Sequence, residues 1–317
     1  MAEVGERSVD GFGALTLRGE GAGGIEATLV PAAGMVCCSL RHRGEELLGQ
    51  RGGLREYVAD RSTMGIPLLH PWANRVGSWR FALAGLEVDL EAASPPPSTD
   101  PGGLPIHGLL AAAPGWEVLR HGVEGGAAVL EARFEFTEQP GLMAAFPFPH
   151  ELFLEASLEG ATLTLATTVR ATGVAPVPIS FGFHPYLRLP GLPRAEWEVE
   201  IPVTERLALD ARMLPTGERE PVLIEPGPLG DRTFDDAFDA PPAGEAFALS
   251  GGGRRIELEL LSGYPYSQVY APAGDEVVAF EPMTAPTNAL CTGGVDLPML
   301  EPGEDYGAAF SVTVAEA

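Results

Sequence analysis

The sequence predicts an all-β chain folded as packed sheets in a large β-sandwich. Three observations carry this. Apolar and polar residues alternate with period two in segment after segment, which is the repeat of a strand with one buried face. Glycine and proline, 40 and 30 of 317 residues, supply turns at a density that suits short strands better than long helices. No amphipathic stretch longer than about ten residues carries a helical period.

The elements follow in order. Ile25 to Val30 reads as the first clear strand. Ala128 to Phe136 alternates throughout. Leu152 to Leu158 and Ala161 to Val169 form a hairpin closed at Glu159-Gly160. Arg255 to Leu260, Glu276 to Phe280 and Ala308 to Val314 repeat the pattern, the last as a closing strand. Ser94-Pro95-Pro96-Pro97 and Ala240-Pro241-Pro242 read as surface loops. Strands recur without a disordered linker or a fixed repeat period, so residues 1–317 are expected to form a single domain.

Composition excludes several functions. Basic residues number 20 against 44 acidic, a net charge of −24, and every basic residue is arginine. Without lysine there is no Schiff base, so pyridoxal phosphate enzymes and class I aldolases are out, as is a Walker-type nucleotide site. So acidic a chain repels nucleic acid and anionic membranes, and neither is expected as a partner. No run of 18 apolar residues appears, and Met1 to Asp10 lacks the apolar core of a secretory signal. Cys37, Cys38 and Cys291 make no disulfide framework and read as reduced core residues of a cytoplasmic protein.

Four segments break the strand pattern. Met64 to Gly77 is rigid and proline-flanked, and it ends near Arg75. That side chain has a planar fork suited to paired hydroxyls or a carboxylate, and equally to a surface ion pair. In Pro105 to Leu110, His107 precedes Gly108, where backbone can approach a ligand closely. In Pro178 to Leu187, His184 ends an apolar run, and Pro185 holds it extended and stops regular pairing. In Val277 to Leu290, a strand runs into Glu281 and is expected to stop at Pro282. A carboxylate at the inner end of an apolar strand is expensive unless it is paired or used. A fifth, acidic segment contains Asp235, Asp236 and Phe238. No metal-ligand spacing, serine-nucleophile elbow or dinucleotide glycine motif is found.

Together and in order, these segments resemble the aldose 1-epimerase (galactose mutarotase-like) family. The matching residues are the Pro-Leu-Leu-His-Pro-Trp-Ala-Asn-Arg run ending at Arg75, then His107-Gly108, then Gly-x-His-Pro-Tyr around His184. Asp235-x-x-Phe and Glu281-Pro282 with its Asn-Ala-Leu tail complete the set. The resemblance covers roughly residues 12–314. It implies a β-supersandwich and the interconversion of α and β anomers of free aldohexoses. It implies Glu281 as general base, His184 as general acid, and Arg75, His107 and Asp235 as sugar-binding groups. Asp236 remains an alternative to Asp235, and His70 faces the cleft or packs.

The chemistry suits those groups. Anomer exchange removes a proton from the C1 hydroxyl and delivers one to the ring oxygen. The ring opens to the aldehyde, C1–C2 rotates, and the reverse steps reclose it. No redox step occurs, so no cofactor or metal is expected. A carboxylate of ordinary pKa near ~4.3 and an imidazole near ~6.5, on opposite sides of the ring, make a push–pull pair. Trp72 or Phe238 is available to cover an apolar sugar face, although core packing suits each better. Two rivals remain. A hexose-6-phosphate 1-epimerase needs basic groups, which the sequence cluster Arg41, Arg43, Arg51, Arg55 and Arg61 offers, although the net charge disfavours an anion. A sugar-binding module does not need the acid–base pair. The protein is expected to act as a monomer or homodimer.

Overall fold

A computed structural model describes residues 1–21 and 23–316. Three sheets dominate. The largest has nine strands. Glu117–Glu124, Ala127–Glu135, His150–Glu159, Thr162–Ala171 and Asp305–Glu316 lead on to Arg254–Ser262, Phe247–Gly251, Glu198–Glu200 and Gly227–Pro228. An eight-stranded sheet holds Phe234–Asp239, Tyr266–Ala271 and Val278–Met283 in its middle, with Gly182–Phe183 and Tyr186–Leu187 both pairing with the last of these. A five-stranded N-terminal sheet runs from Glu3–Val9 to Glu45–Glu46.

The period-two reading is fulfilled in the burial of these strands. In His150–Glu159, Leu152, Leu154, Ala156 and Leu158 are buried, while the residues between them are more exposed. The hairpin pairs Glu159 with Thr162, and Gly160 adopts φ of 56°, a left-handed value that suits glycine in a two-residue turn. The two large sheets meet face to face. Phe247 of the nine-stranded sheet stacks on Phe280 of the eight-stranded sheet at 4.9 Å, and Phe183 meets Phe310 at 5.1 Å. Burying each such ring contributes about 1.5–3 kcal/mol.

Three expectations change. The strand does not stop at Pro282 but continues to Met283, with Ser267 opposite the proline. On its other flank the neighbouring strand is broken between Phe183 and Tyr186, and no ladder pair falls at residue 282 there. A residue without an N–H is tolerated where no ladder bond is required. The Ser94–Pro97 loop is not wholly superficial, since Pro97 is buried. Cys37 and Cys38 are buried free thiols, but Cys291 is only partly buried. The longest helix among the described residues is Gly53–Asp60, which is too short and polar to cross a membrane.

Candidate active site

Period-two geometry positions the site. Phe280 points into the core, so Glu281 emerges on the opposite face of its strand. Phe183 likewise packs on Phe310, which turns His184 to the other face. Tyr186, two residues on, stacks on the His184 ring at 4.0 Å. Opposite Glu281, Gln268 lies on the adjacent strand, and Asp235 lies on the strand beyond. Glu281, His184, Tyr186 and Asp235 meet in a cavity of about 440 Å³, lined also by Arg51, Arg61, Asn74, Arg75, His107 and Tyr270. That volume is within the range of small-molecule sites.

All five sequence-predicted residues line this cavity. His184 Nε2 lies 3.3 Å from Glu281 Oε1, with both side chains almost fully buried. This corrects the expectation of two groups on opposite sides of a ring, because they touch. Burial pushes the Glu281 carboxyl well above its ordinary pKa. The Asp235 charge adds to the rise, and Arg75 opposes it. Burial pushes His184 well below its ordinary pKa, and nearby His107 and Arg51 reinforce this. Burial favours a proton on the carboxyl and a neutral imidazole. Glu281 Oε2 and His184 Nδ1 are buried and have no hydrogen-bond partner among the described residues.

Arg75 combines both of its readings. Its Nε donates to Asp100 Oδ2 at 2.7 Å and its Nη1 to Asn74 Oδ1 at 3.0 Å, yet it lines the cavity. The pair with Asp100 is buried rather than superficial, with side-chain exposures of 12% and 8%. His107 adopts φ of 65°, and its N–H donates to Asn74 O at 2.9 Å. Its ring meets His184 edge-on at 5.5 Å, and burial lowers its pKa to about 3, with Arg75 and Arg51 adding to the effect. Gly108 does not face a ligand. It lies against the His70 backbone, where an added Cβ would sit 2.2 Å from His70 O. Asp235 accepts a hydrogen bond from Gln268 Nε2 at 2.7 Å, and burial raises its pKa. Asp236 does not line this cavity and pairs with Arg206 at 3.6 Å. His70 packs: its Nε2 lies 2.7 Å from His150 Nε2, between Phe136 and Phe181. Trp72 and Phe238 are core residues, and the aromatic lining comes from Tyr186 and Tyr270 instead.

Sequence reasoning missed Gln268, Tyr270 and Asp100. The first two had a legible signal, since Tyr266-Ser267-Gln268-Val269-Tyr270 alternates and sets a buried amide beside two tyrosines. Asp100 followed a proline-rich loop and had none. Among the described residues, no group of three or more His, Cys, Asp or Glu side chains is placed to hold a metal ion.

Residues 33–313 match the sequence profile described as aldose 1-epimerase. The chain belongs to the aldose 1-epimerase family. The family match supports an enzyme of the epimerase type that acts on a sugar. Solved structures share the fold. A galactose mutarotase-like protein from Clostridium acetobutylicum superimposes with a TM-score of 0.86 at 20% identity, covering 100% of this chain and 99% of its own. A galactose 1-epimerase from Lactobacillus acidophilus gives 0.77 at 15% identity, covering 100% and 99%. An aldose epimerase homologue from C. elegans gives 0.73 at 17%, covering 100% of both. No protein of curated function matches. At these identities the structural likeness speaks for the aldose 1-epimerase fold alone.

Proposed function

We propose that this protein is an aldose 1-epimerase that interconverts the α and β anomers of free aldohexoses. The observation that carries the reading is the buried contact between His184 and Glu281, which opens on a cavity lined by Arg75, His107 and Asp235. Glu281 takes the proton of the C1 hydroxyl while His184 gives one to the ring oxygen, and the C1–O5 bond breaks. Ring opening then leaves a protonated carboxyl and a neutral imidazole, the forms that burial favours, so the site stabilises the open-chain aldehyde. After rotation about C1–C2, His184 takes the O5 proton back, and Glu281 returns its own to the carbonyl oxygen. Each group contributes about 10²–10⁴-fold. Arg75 donates to sugar hydroxyls, Asp235 accepts from them, and His107 holds the sugar near its ring oxygen.

Polarimetry on freshly dissolved α-D-glucose and α-D-galactose tests this. Catalysed decay to the anomeric equilibrium is expected. Tight sugar binding without acceleration would instead identify a binding module.

A further inference from the structure

Arg75 is fixed at both ends of its side chain. Asp100 and Asn74 set the guanidinium. The backbone below it is set by Asn288, a residue remote in sequence. The Asn288 N–H donates to Arg75 O at 2.9 Å, and Asn288 Oδ1 accepts the Gly77 N–H at 2.6 Å. The two bonds clasp the chain on either side of Val76, and 211 positions separate Gly77 from Asn288. One residue thus offers both the N–H and the oxygen that a neighbouring strand would offer. On the other flank, the Val76 N–H donates to Pro105 O at 3.0 Å, and Asn74 O accepts the His107 N–H at 2.9 Å. The segment bearing Arg75 is therefore gripped between the His107 loop and Asn288.

Two features mark this clasp as more than a chance contact. Asn288 adopts φ of 71° and ψ of 6°, the left-handed region that asparagine enters more readily than most side chains. It also stands at the start of the short helix Ala289–Thr292, where an asparagine oxygen ordinarily accepts a helical N–H, yet it makes no such bond. The oxygen goes to Gly77 instead, which is packed so closely that an added Cβ would lie 3.0 Å from it. Asn288 does not line the cavity, so any effect on the sugar passes through Arg75. The clasp also joins the parts of the site. Asn288 follows Glu281 on one stretch of chain, and Thr284 between them donates from N and Oγ1 to Phe181 O at 2.9 and 3.0 Å. That stretch is tied at Thr284 to the segment bearing His184 and at Asn288 to the segment bearing Arg75.

We propose that Asn288 is a positioning residue for Arg75, which fixes where the sugar-binding guanidinium stands in the cavity. The proposal rests on the epimerase reading above. Arg75 donates to sugar hydroxyls that take no part in bond breaking, so its bonds are alike before and during ring opening. Misplacing it weakens both states together, which raises KM and leaves kcat nearly unchanged. A residue that only supported the fold would do the reverse. Its loss would lower the amount of folded protein, and with it the apparent kcat, while the folded fraction kept its KM.

Polarimetry of α-D-glucose mutarotation on the full chain reads the effect. Asn288→Gly keeps the left-handed backbone and its N–H but removes Oδ1. It is expected to raise KM about fivefold or more and to change kcat less than about twofold, as loss of one hydrogen bond behind a binding group predicts. Asn288→Asp returns an oxygen to Gly77 and is expected to stay within about twofold of the parent in KM. In an Arg75→Gln background, Asn288→Gly is expected to raise KM by less than about twofold further, because the group it positions is gone. Hydrogen exchange of the Gly77 amide tests the clasp in the unaltered protein, with no variant required to fold: that amide should be protected. A fall in kcat at unchanged KM, a full loss on top of Arg75→Gln, no rescue by aspartate, or a freely exchanging Gly77 amide each overturns the assignment. No acceleration of mutarotation by the parent overturns the epimerase reading itself, and the Gly77 amide then still decides the clasp.

Discussion

At the scale of residues, Glu281 and His184 lie in contact, and in the proposed mechanism the pair carries one proton between them. Activity is expected to hold through neutrality and fall on both sides. On the acid side it falls below the ordinary imidazole range, because burial and the nearby charges resist a second proton on His184. On the alkaline side it falls as the pair loses the proton it holds. A pH–rate profile without these two limbs contradicts the assignment. Glu281→Gln removes the base but keeps the shape, and a loss of about 10²–10⁴-fold in mutarotation is expected, with little change in thermal stability. The residue identities were legible because each motif set a costly group, such as Glu281 beside Phe280, against an apolar strand. Their protonation was not legible. It depends on burial and on neighbours such as Arg51 and His107, which only the fold brings together.

At the scale of elements, the site is built on strands whose opposite face is core. Phe280→Ala empties a ring-sized space between the two large sheets and is expected to cost about 3–5 kcal/mol in urea unfolding. The loop bearing His107 depends on Gly108, at φ of 74° against the His70 backbone. Gly108→Ala is expected to destabilise by about 2 kcal/mol or more and to reduce activity by displacing His107. Equal stability of the variant and the parent in urea would refute that. Strands such as His150–Glu159 were readable from alternation. The extension of Val278–Met283 past Pro282 was not, because it depends on a gap in the neighbouring strand, which pairs from almost a hundred residues away in sequence.

At the scale of the molecule, acid stability is set by neutral histidines in the interior. His70, His107, His150 and His184 are all buried enough that their pKa values fall, with His150 near 4. An unfolded histidine keeps a pKa of about 6.5, so the unfolded chain binds more protons between the two values, and stability declines as pH drops through that window. His150 alone accounts for about 3 kcal/mol of that decline. The urea midpoint should fall steadily from pH 7 toward 4.5, and a His70→Leu/His150→Leu double variant should flatten the curve. The all-β class was legible from composition and alternation, whereas the meeting of His70 with His150 was not, since nothing local in the sequence pairs residues 80 positions apart.

The strand Val278–Met283 has a consequence for how this protein tolerates change. Val278 and Phe280 belong to the main core, Glu281 lines the cavity, and Met283 joins a separate cluster on the outer side. A saturation library across these six positions, scored separately for cellular abundance and for sugar turnover, should produce a comb. Substitutions at 278 and 280 deplete the protein, whereas substitutions at 281 leave its amount intact and silence it. Selection for abundance alone would drift freely through the one position on which turnover depends.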